Sequence, residues 1–220
     1  MTLAPGLLAR GPWPAGRVAA QWSTDEFAPS HVHSAAADAA VAALAERGSP
    51  SHDGWSARLV AHEPVGDGGL VMHLQPARWA LRLVDGDASE SMAALCAVRD
   101  AQGRWLAGRR APWVASWAGR WALGAGGAVD LGESPFDTLE RELAEEWSVT
   151  PERVQGEALI LLPHRLAMFI GQAWLPDGAQ ITPDHEHDAH AWWPADVDDW
   201  PDEADEPLRR MAGMLVAQDG

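Results

Sequence analysis

One segment, Gly127–Val149, constrains the fold of this chain more than any other. Ser134 is a good N-cap, Pro135 suits the first helical position and Asp137 can complete a capping box, so a helix is predicted to begin there. At about 100° per residue, the apolar side chains gather on one arc of that helix. They are Phe136, Leu139, Leu143 and Trp147. The helix is therefore predicted to dock one face into a hydrophobic core.

The neighbouring arc of the same helix carries three carboxylates, Glu142, Glu145 and Glu146. Acidic groups held together repel one another, and each raises the proton affinity of the others. A hard divalent cation removes that repulsion because it prefers oxygen ligands, and glycines before the helix let backbone groups approach it. The pattern favours binding of Mg²⁺ or Mn²⁺ and activation of a water at a phosphoryl group. Clustered glutamates alone would favour the alternative, a solvated acidic face.

The spacing of these residues decides between the two interpretations. The segment resembles the Nudix box, in which a glycine, five residues, a glutamate and seven residues precede Arg-Glu-aliphatic-x-Glu-Glu-x-Gly-aliphatic. The matching positions are Gly127, Glu133, Arg141, Glu142, Leu143, Glu145, Glu146 and Val149. So many matches arise by chance with a probability on the order of one in a hundred thousand. The chain therefore resembles the Nudix hydrolases, which cleave phosphoanhydride bonds.

The resemblance implies a role for each matched residue. The implied metal ligands, which include the catalytic carboxylates, are Glu142, Glu145, Glu146 and the carbonyl of Gly127. Arg141 would pair with Glu133 and hold the loop–helix–loop in shape, and Glu142 is also an alternative base. Ser148 stands where the box has a glycine that caps the helix in a left-handed conformation. A non-glycine residue there costs about 1 kcal/mol, a cost in stability that leaves every carboxylate in place.

Strands and a closing helix are predicted around the box. Their positions are Ala93–Arg99, Arg104–Gly108, Leu159–Leu162 and Met168–Trp174 for strands, and Pro207–Val216 for the helix. Such alternation predicts a mixed sheet packed against helices. The resemblance, which extends over about residues 91–216, implies an α+β fold, an α/β/α sandwich of Nudix type, for a domain at residues 89–220.

Residues 1–88 are predicted to form a small β-rich α+β extension that serves in dimerisation or as a substrate cover. The predicted elements are a helix at Ala35–Arg47, strands at Trp55–His62 and Leu70–Gln75 joined by a hairpin turn at Gly66–Gly69, and a third strand at Trp79–Val84. The stretch Asp85–Ser89 is the predicted boundary between the two parts.

Residues outside the box would select the substrate. Arginines that could bind phosphates are Arg109, Arg120 and Arg110, and tryptophans that could stack on a base are Trp117, Trp121 and Trp113. The alternatives are that the arginines are solvated and that the tryptophans are core residues. Pro163 lies fifteen residues after Ser148, a placement that resembles ADP-ribose pyrophosphatases.

The run Asp184–His190 is predicted to be a surface loop, because Pro183 and a polar stretch mark loop chemistry. Within it, Glu186 is the candidate catalytic base, and His185 or His187 could contact a phosphate. A second metal site is the alternative, but the run lacks a helical His-Glu-x-x-His pair.

Composition limits the partners and the location. The net charge of −16 opposes a nucleic-acid surface but permits a small nucleotide whose phosphates a cation neutralises. Cys96 is the only cysteine, so no intramolecular disulfide forms and a cytoplasmic location is expected, with no membrane span. The leading substrate is ADP-ribose or a nucleoside diphosphate sugar. A nucleoside triphosphate, including an oxidised one, and a non-catalytic ligand-binding regulator are the alternatives, and a homodimer is compatible with the extension.

Overall fold

The computed structural model describes residues 3–49, 53–84, 89–114 and 117–216. The strands are β1 Gly6–Pro14, β2 Val18–Trp22, β3 Trp55–Val65, β4 Gly69–Arg78, β5 Met92–Arg99, β6 Trp105–Arg110, β7 Trp121–Leu123, β8 Ala125–Ala128, β9 Arg153–Leu161, β10 Ala167–Trp174 and β11 His187–Trp193. The α-helices are α1 His31–Glu46, α2 Pro135–Trp147 and α3 Glu206–Val216.

The larger sheet forms the middle layer of the main body. Its strand order is β1-β9-β10-β5-β6-β11, with β8 paired to β5 and β7 paired to β6. Strands β10 and β5 are parallel, whereas β9 and β10 are antiparallel, so the sheet is mixed. Side chains alternate along β5: Cys96 packs in one core with Leu139 of α2, and Ala97 packs in another with Leu208 of α3. The sheet lies between α2 and α3, which confirms the predicted α/β/α sandwich.

The N-terminal region contributes a second sheet of order β2-β4-β3. Strands β3 and β4 form the predicted hairpin around Gly66–Gly68, and helix α1 packs on the segment that follows β4. Helix α1 begins earlier than predicted because Ser30 caps it by accepting a hydrogen bond from the backbone of His33. The predicted strand-rich extension is therefore confirmed.

Parts of the N-terminal prediction were wrong or incomplete. Residues Trp79–Leu83 form a 3₁₀ turn, not a strand, since the Asp53 carboxylate accepts a hydrogen bond from the Ala80 backbone and α1 covers the turn. Strands β1 and β2 were not predicted, and β1 joins the larger sheet beside β9. Most of the predicted boundary, residues 85–88, lies outside the described residues.

Strand β3 fixes the N-terminal sheet to the loop that precedes α2. The Ala57 backbone donates to the carbonyl of Val129 over 2.7 Å, and Leu131 donates to the carbonyl of Trp55 over 3.2 Å. This junction brings the two sheets together where the box begins. Within the described residues, no helix is long and apolar enough to cross a membrane.

Candidate active site

Helix α2 begins and ends as the sequence predicts. Ser134 Oγ accepts a hydrogen bond from the Asp137 backbone over 3.3 Å, and the Asp137 carboxylate accepts one from the Ser134 backbone over 2.8 Å. At the other end Ser148 is left-handed, with φ 55° and ψ 38°. Because Leu139 and Leu143 are fully buried on the sheet, the helix cannot rotate and its carboxylates face strand β8.

The three glutamates that share one arc of α2 occupy different environments. The residues Glu142 and Glu146 are only 8% and 4% exposed, whereas the side chain of Glu145 is 60% exposed. Burial raises the pKa of Glu146 well above its usual value, the charge of Glu142 raises it further, and Arg110 partly offsets both. Burial also raises the pKa of Glu142, against the charge of Arg141. The cleft therefore holds negative charge that a cation or a proton would neutralise.

Glycines of β8 allow these carboxylates to lie against the strand. A Cβ atom on Gly127 would come within 2.0 Å of Glu142 Oε1, so any larger residue would displace that side chain. The backbone of Gly126 donates a long hydrogen bond of 3.5 Å to Glu146 Oε1. The glycines before the helix thus act through close approach, as expected from their place in the box.

Arg141 ties the loop before the helix to the helix itself. It donates from Nε and Nη2 to the two carboxylate oxygens of Glu133, over 2.8 and 3.1 Å, and from Nη1 to Glu142 Oε1 over 2.6 Å. Burial raises the pKa of Glu133, but the hydrogen bonds from Arg141 and Thr138 lower it by more. The Arg141–Glu133 contact implied by the resemblance is therefore present as a two-pronged ion pair.

The opposite wall of the cleft comes from the end of β6 and the residues before β11. Arg110 Nη1 lies 3.1 Å from Glu186 Oε2 and 3.8 Å from Glu146 Oε1. Trp113 lines the cleft nearby, and its ring stacks on His185 at 5.1 Å with an interplanar angle of 13°. The cleft has a volume of about 280 Å³ and combines carboxylates, a positively charged arginine and an aromatic ring.

His187 lies beside this cleft, so the predicted surface loop is wrong from that residue onward. Its side chain is 1% exposed because residues 187–193 form strand β11 against β6. Burial lowers the pKa of His187, while a hydrogen bond to Asp184 acts in the opposite direction. The ring sits 4.5 Å from that of Trp147, and Gly108 leaves room for it, since a Cβ there would be 2.4 Å from the imidazole.

The family model of the NUDIX domain matches residues 90–211, which is more than half of the chain. The chain belongs to the NUDIX family. It is accordingly a phosphoanhydride hydrolase, the enzyme class predicted from the sequence. The match begins after the second sheet, so the N-terminal region of this Nudix enzyme lies outside the family's common domain.

Several solved structures are similar to this chain at low sequence identity. The MutT protein from Methanosarcina mazei Go1 is 20% identical, with a TM-score of 0.45, over 59% of this chain and 94% of that chain. A C. elegans Ap4A hydrolase, in a binary complex, is 19% identical, with a TM-score of 0.45, over 58% of this chain and 95% of that chain. The NUDIX domain of Shewanella oneidensis NrtR, complexed with ADP ribose, is 17% identical, with a TM-score of 0.45, over 59% of this chain and 88% of that chain. No curated protein matches the sequence.

Two arginines predicted to bind substrate lie elsewhere in this Nudix enzyme. Arg109 forms an ion pair with Asp188 at 2.7 Å, and Arg120 forms one with Asp205. Neither belongs to the described lining of the cleft, whereas Arg110 does. Neighbouring residues of a strand point to opposite faces, so only one of Arg109 and Arg110 can reach the cleft.

Two of the three predicted stacking tryptophans, Trp121 and Trp117, are also not part of the described cleft lining. Trp121 packs against Trp193 at 5.5 Å between ring centroids. Trp117 is 48% exposed, and the guanidinium of Arg120 lies 4.7 Å from its ring centroid. Trp113, the third tryptophan of that segment, is the one that reaches the cleft.

Gly54 and Trp79 are among the lining residues that the sequence did not indicate. Both belong to the N-terminal region and reach the cleft only through the junction between β3 and the loop before α2. No local pattern marks them, because the contact depends on how two distant segments pack. The predicted residues that the structure does bring together at the cleft are Glu142, Glu145, Glu146, Gly127, Arg141, Glu186, Arg110 and Trp113.

The donors at the cleft fit a hard divalent cation. Glu142 and Glu146 line the same cleft, and a cation bound there would relieve the repulsion between their carboxylates. All the donors are oxygens, including the nearby carbonyl of Gly127, which suits Mg²⁺ or Mn²⁺. In the part of the chain that the structure describes, no group of three or more acidic, histidine or cysteine side chains is already arranged so that it could hold a metal ion. Glu145 lines the same cleft as the third carboxylate, and its side chain is mostly exposed, so it lies at the rim.

Proposed function

We propose that this Nudix enzyme hydrolyses the pyrophosphate linkage of ADP-ribose or of a nucleoside diphosphate sugar and requires a divalent cation. One observation carries the proposal: the cleft places two buried carboxylates, Glu142 and Glu146, opposite Arg110 and beside the ring of Trp113. A cleft with these groups can hold a diphosphate at one end and an aromatic base at the other. Residues 89–220 would act as the catalytic domain, with residues 1–88 as a cover.

Each side of the cleft has a distinct part in the proposed reaction. Glu142, Glu146 and the rim residue Glu145, with the Gly127 carbonyl, would hold Mg²⁺ or Mn²⁺. When bound, the cation polarises a phosphoryl oxygen and lowers the pKa of an attacking water. Arg110 would bind a phosphate oxygen and help neutralise the diphosphate.

Glu186 would accept the proton of the attacking water. Its carboxylate is 34% exposed and contacts Arg110, so it lies at the cleft and is open to solvent. A carboxylate in that position acts as a general base when it reaches the water directly.

The experiment measures nucleoside monophosphate and phosphate release from ADP-ribose, UDP-glucose, diadenosine polyphosphates and nucleoside triphosphates, with Mg²⁺ and with EDTA. We expect metal-dependent monophosphate release from ADP-ribose or the sugar nucleotide. Glu146→Gln should lower kcat by at least about a hundredfold. Glu140→Gln, an exposed glutamate on the same helix, is the matched control and should be unaffected.

Two results would contradict the proposal in different ways. Turnover of nucleoside triphosphates alone would move the substrate to that class and keep the chemistry. Tight binding of ADP-ribose without turnover of any substrate would replace hydrolysis by a non-catalytic regulatory role.

A further inference from the structure

We propose that the N-terminal region determines substrate specificity through Trp79, whose ring would stack on the base of the substrate. The inference rests on the proposed function and concerns a residue outside the matched domain, residues 90–211. Trp79 lines the same cleft as Glu142, Glu146 and Arg110, so one cavity joins the N-terminal region to the reacting groups.

The backbone around Trp79 is held on both sides. Its own N–H donates to the carbonyl of Gly54 over 2.8 Å, and the next N–H, of Ala80, donates to Asp53 Oδ1 over 3.1 Å. Arg78 donates from Nε to Asp53 Oδ2 over 3.0 Å. The backbone that carries the ring is therefore held in a prepared turn, which lowers the entropy lost when a ligand stacks on the ring.

The turn is also anchored to the rest of the molecule. Arg78 donates to Asp38 of helix α1 over 2.7 Å, and Ala80 packs with Ala37 of the same helix. On the other side, strand β3 pairs with the loop before α2 through Ala57. The position of Trp79 relative to the carboxylates is thus set by contacts on two sides of the turn, none of which needs a ligand.

The side of the cleft that carries Trp79 favours a ligand with a planar ring. Trp79 is partly buried, and the guanidinium of Arg82 lies 5.8 Å from its ring centroid. Trp113 lines the same cavity and is itself held by stacking on His185. Every nucleobase has a π face that stacks on an indole, whereas inorganic polyphosphate has none. The substrate class that this wall selects is therefore a phosphoanhydride that carries a base.

A purely structural role for Trp79 is the competing explanation, because the ring also packs near Leu81 under helix α1. Trp79→Leu separates the two roles, since it keeps apolar volume and removes the π face. Trp79→Phe restores a π face. The matched control is Trp174→Leu, because Trp174 is also partly buried under an arginine, Arg153, and does not line the cleft.

The test is calorimetric binding of AMP and of inorganic tripolyphosphate, with Mg²⁺, to the wild type and these variants. Trp79→Leu should weaken AMP binding by on the order of tenfold, and Trp79→Phe should recover most of it. Tripolyphosphate binding should not change in either variant, and Trp174→Leu should match the wild type for both ligands. With a hydrolysed nucleotide, Trp79→Leu should raise KM and leave kcat nearly constant.

The inference is overturned if folded Trp79→Leu binds AMP as the wild type does, or if it loses AMP and tripolyphosphate equally. Should Trp79→Leu not fold, unchanged AMP binding by Trp79→Ala or a failure of Trp79→Phe to bind AMP would overturn it equally well. The proposed function fails separately: a wild type that turns over no phosphoanhydride but binds AMP through Trp79 would contradict hydrolysis and support the stacking role.

Discussion

The two walls of the cleft are built in different ways. The box wall, residues 127–148, takes its carboxylates from one helix and its backbone from the strand just before it. The arginine wall, made of Arg110, Trp113 and Glu186, draws on segments that are distant in sequence and meet only because β11 pairs with β6. The spacing of residues along helix α2 therefore positions the groups of the box wall. The pairing register of β6 and β11 positions those of the arginine wall.

The contrast is sharpest at two adjacent arginines. Arg110 pairs in register with His187, and Arg109 pairs with Ala189, with a bulge between the two pairs. Arg110 turns into the cleft toward Glu186, and Arg109 turns out to Asp188. A shift of one residue along the strand would exchange their places.

Apart from the loss of the carboxylate of Glu146, the largest effect is expected from breaking the arginine wall. Arg110→Ala should raise KM for the hydrolysed diphosphate by roughly ten- to a hundredfold, since a charged hydrogen bond to phosphate contributes about 1.5–3 kcal/mol. Arg109→Ala should change kcat/KM by less than about twofold, because an exposed ion pair contributes little. Steady-state kinetics of the two variants measures the difference between the two faces of β6.

Arg110→Lys serves as the control for charge and should recover part of the loss, without the second hydrogen bond that a guanidinium offers. Equal losses from Arg109→Ala and Arg110→Ala would mean that the phosphates do not bind on the cleft face of β6.

The same contrast explains which parts of the fold could be predicted. Helix α2 is specified by nearby residues, Ser134 and Asp137 at its start and Ser148 at its end, so both ends were located from the sequence. Strand β1 depends on pairing with β9, more than a hundred residues away, and nothing in its own pattern reveals that partner. Residues 79–83 turn because Asp53 caps them from the preceding segment, which a local pattern of apolar residues does not show.

The residues of the candidate active site follow the same rule: those placed by nearby sequence were predicted, and those placed by strand pairing were predicted less well. The predicted carboxylates and Gly127 meet at the cleft because the box spaces them on a helix and its preceding strand. Glu186 also reaches the cleft, although the residues after it form a strand and not the expected loop. Arg120 and Trp121 precede the box in the sequence, but β7 carries Trp121 toward Trp193, and Arg120 pairs with Asp205. Distance along the chain does not indicate the face of a sheet.

A smaller effect is expected within the box wall, at the ion pair that braces its loop. In the folded protein the pKa of Glu133 is lowered from its ordinary value of 4.5. Its ionised carboxylate therefore stabilises the fold fully above about pH 4.5, and this stabilisation is lost as the pH falls through the lowered pKa. Glu133→Gln should reduce the free energy of unfolding by about 1–3 kcal/mol at pH 7. Urea unfolding from pH 7 down to about pH 3 should show that the difference from wild type shrinks below about pH 4.5.

Glu140→Gln, at an exposed position of the same helix, is the control and should show almost no difference at any pH. A Glu133→Gln deficit that stays constant down to pH 3 would mean that packing, and not the ionised carboxylate, accounts for the stabilisation by residue 133.

The smallest effect is expected where the box departs from its own pattern. Ser148 adopts φ 55° at the end of α2, and a left-handed backbone costs a residue with a Cβ about 1–2 kcal/mol. Glycine removes that cost but gains freedom in the unfolded chain, so Ser148→Gly should stabilise the protein by a net of about 0.5–1 kcal/mol. Thermal unfolding measures the gain, and kcat/KM should stay at the wild-type value because the carboxylates of α2 do not move. Ser148→Ala keeps the Cβ and should give no gain; if it stabilises the protein as much as Ser148→Gly, the left-handed conformation is not what limits stability at this helix end.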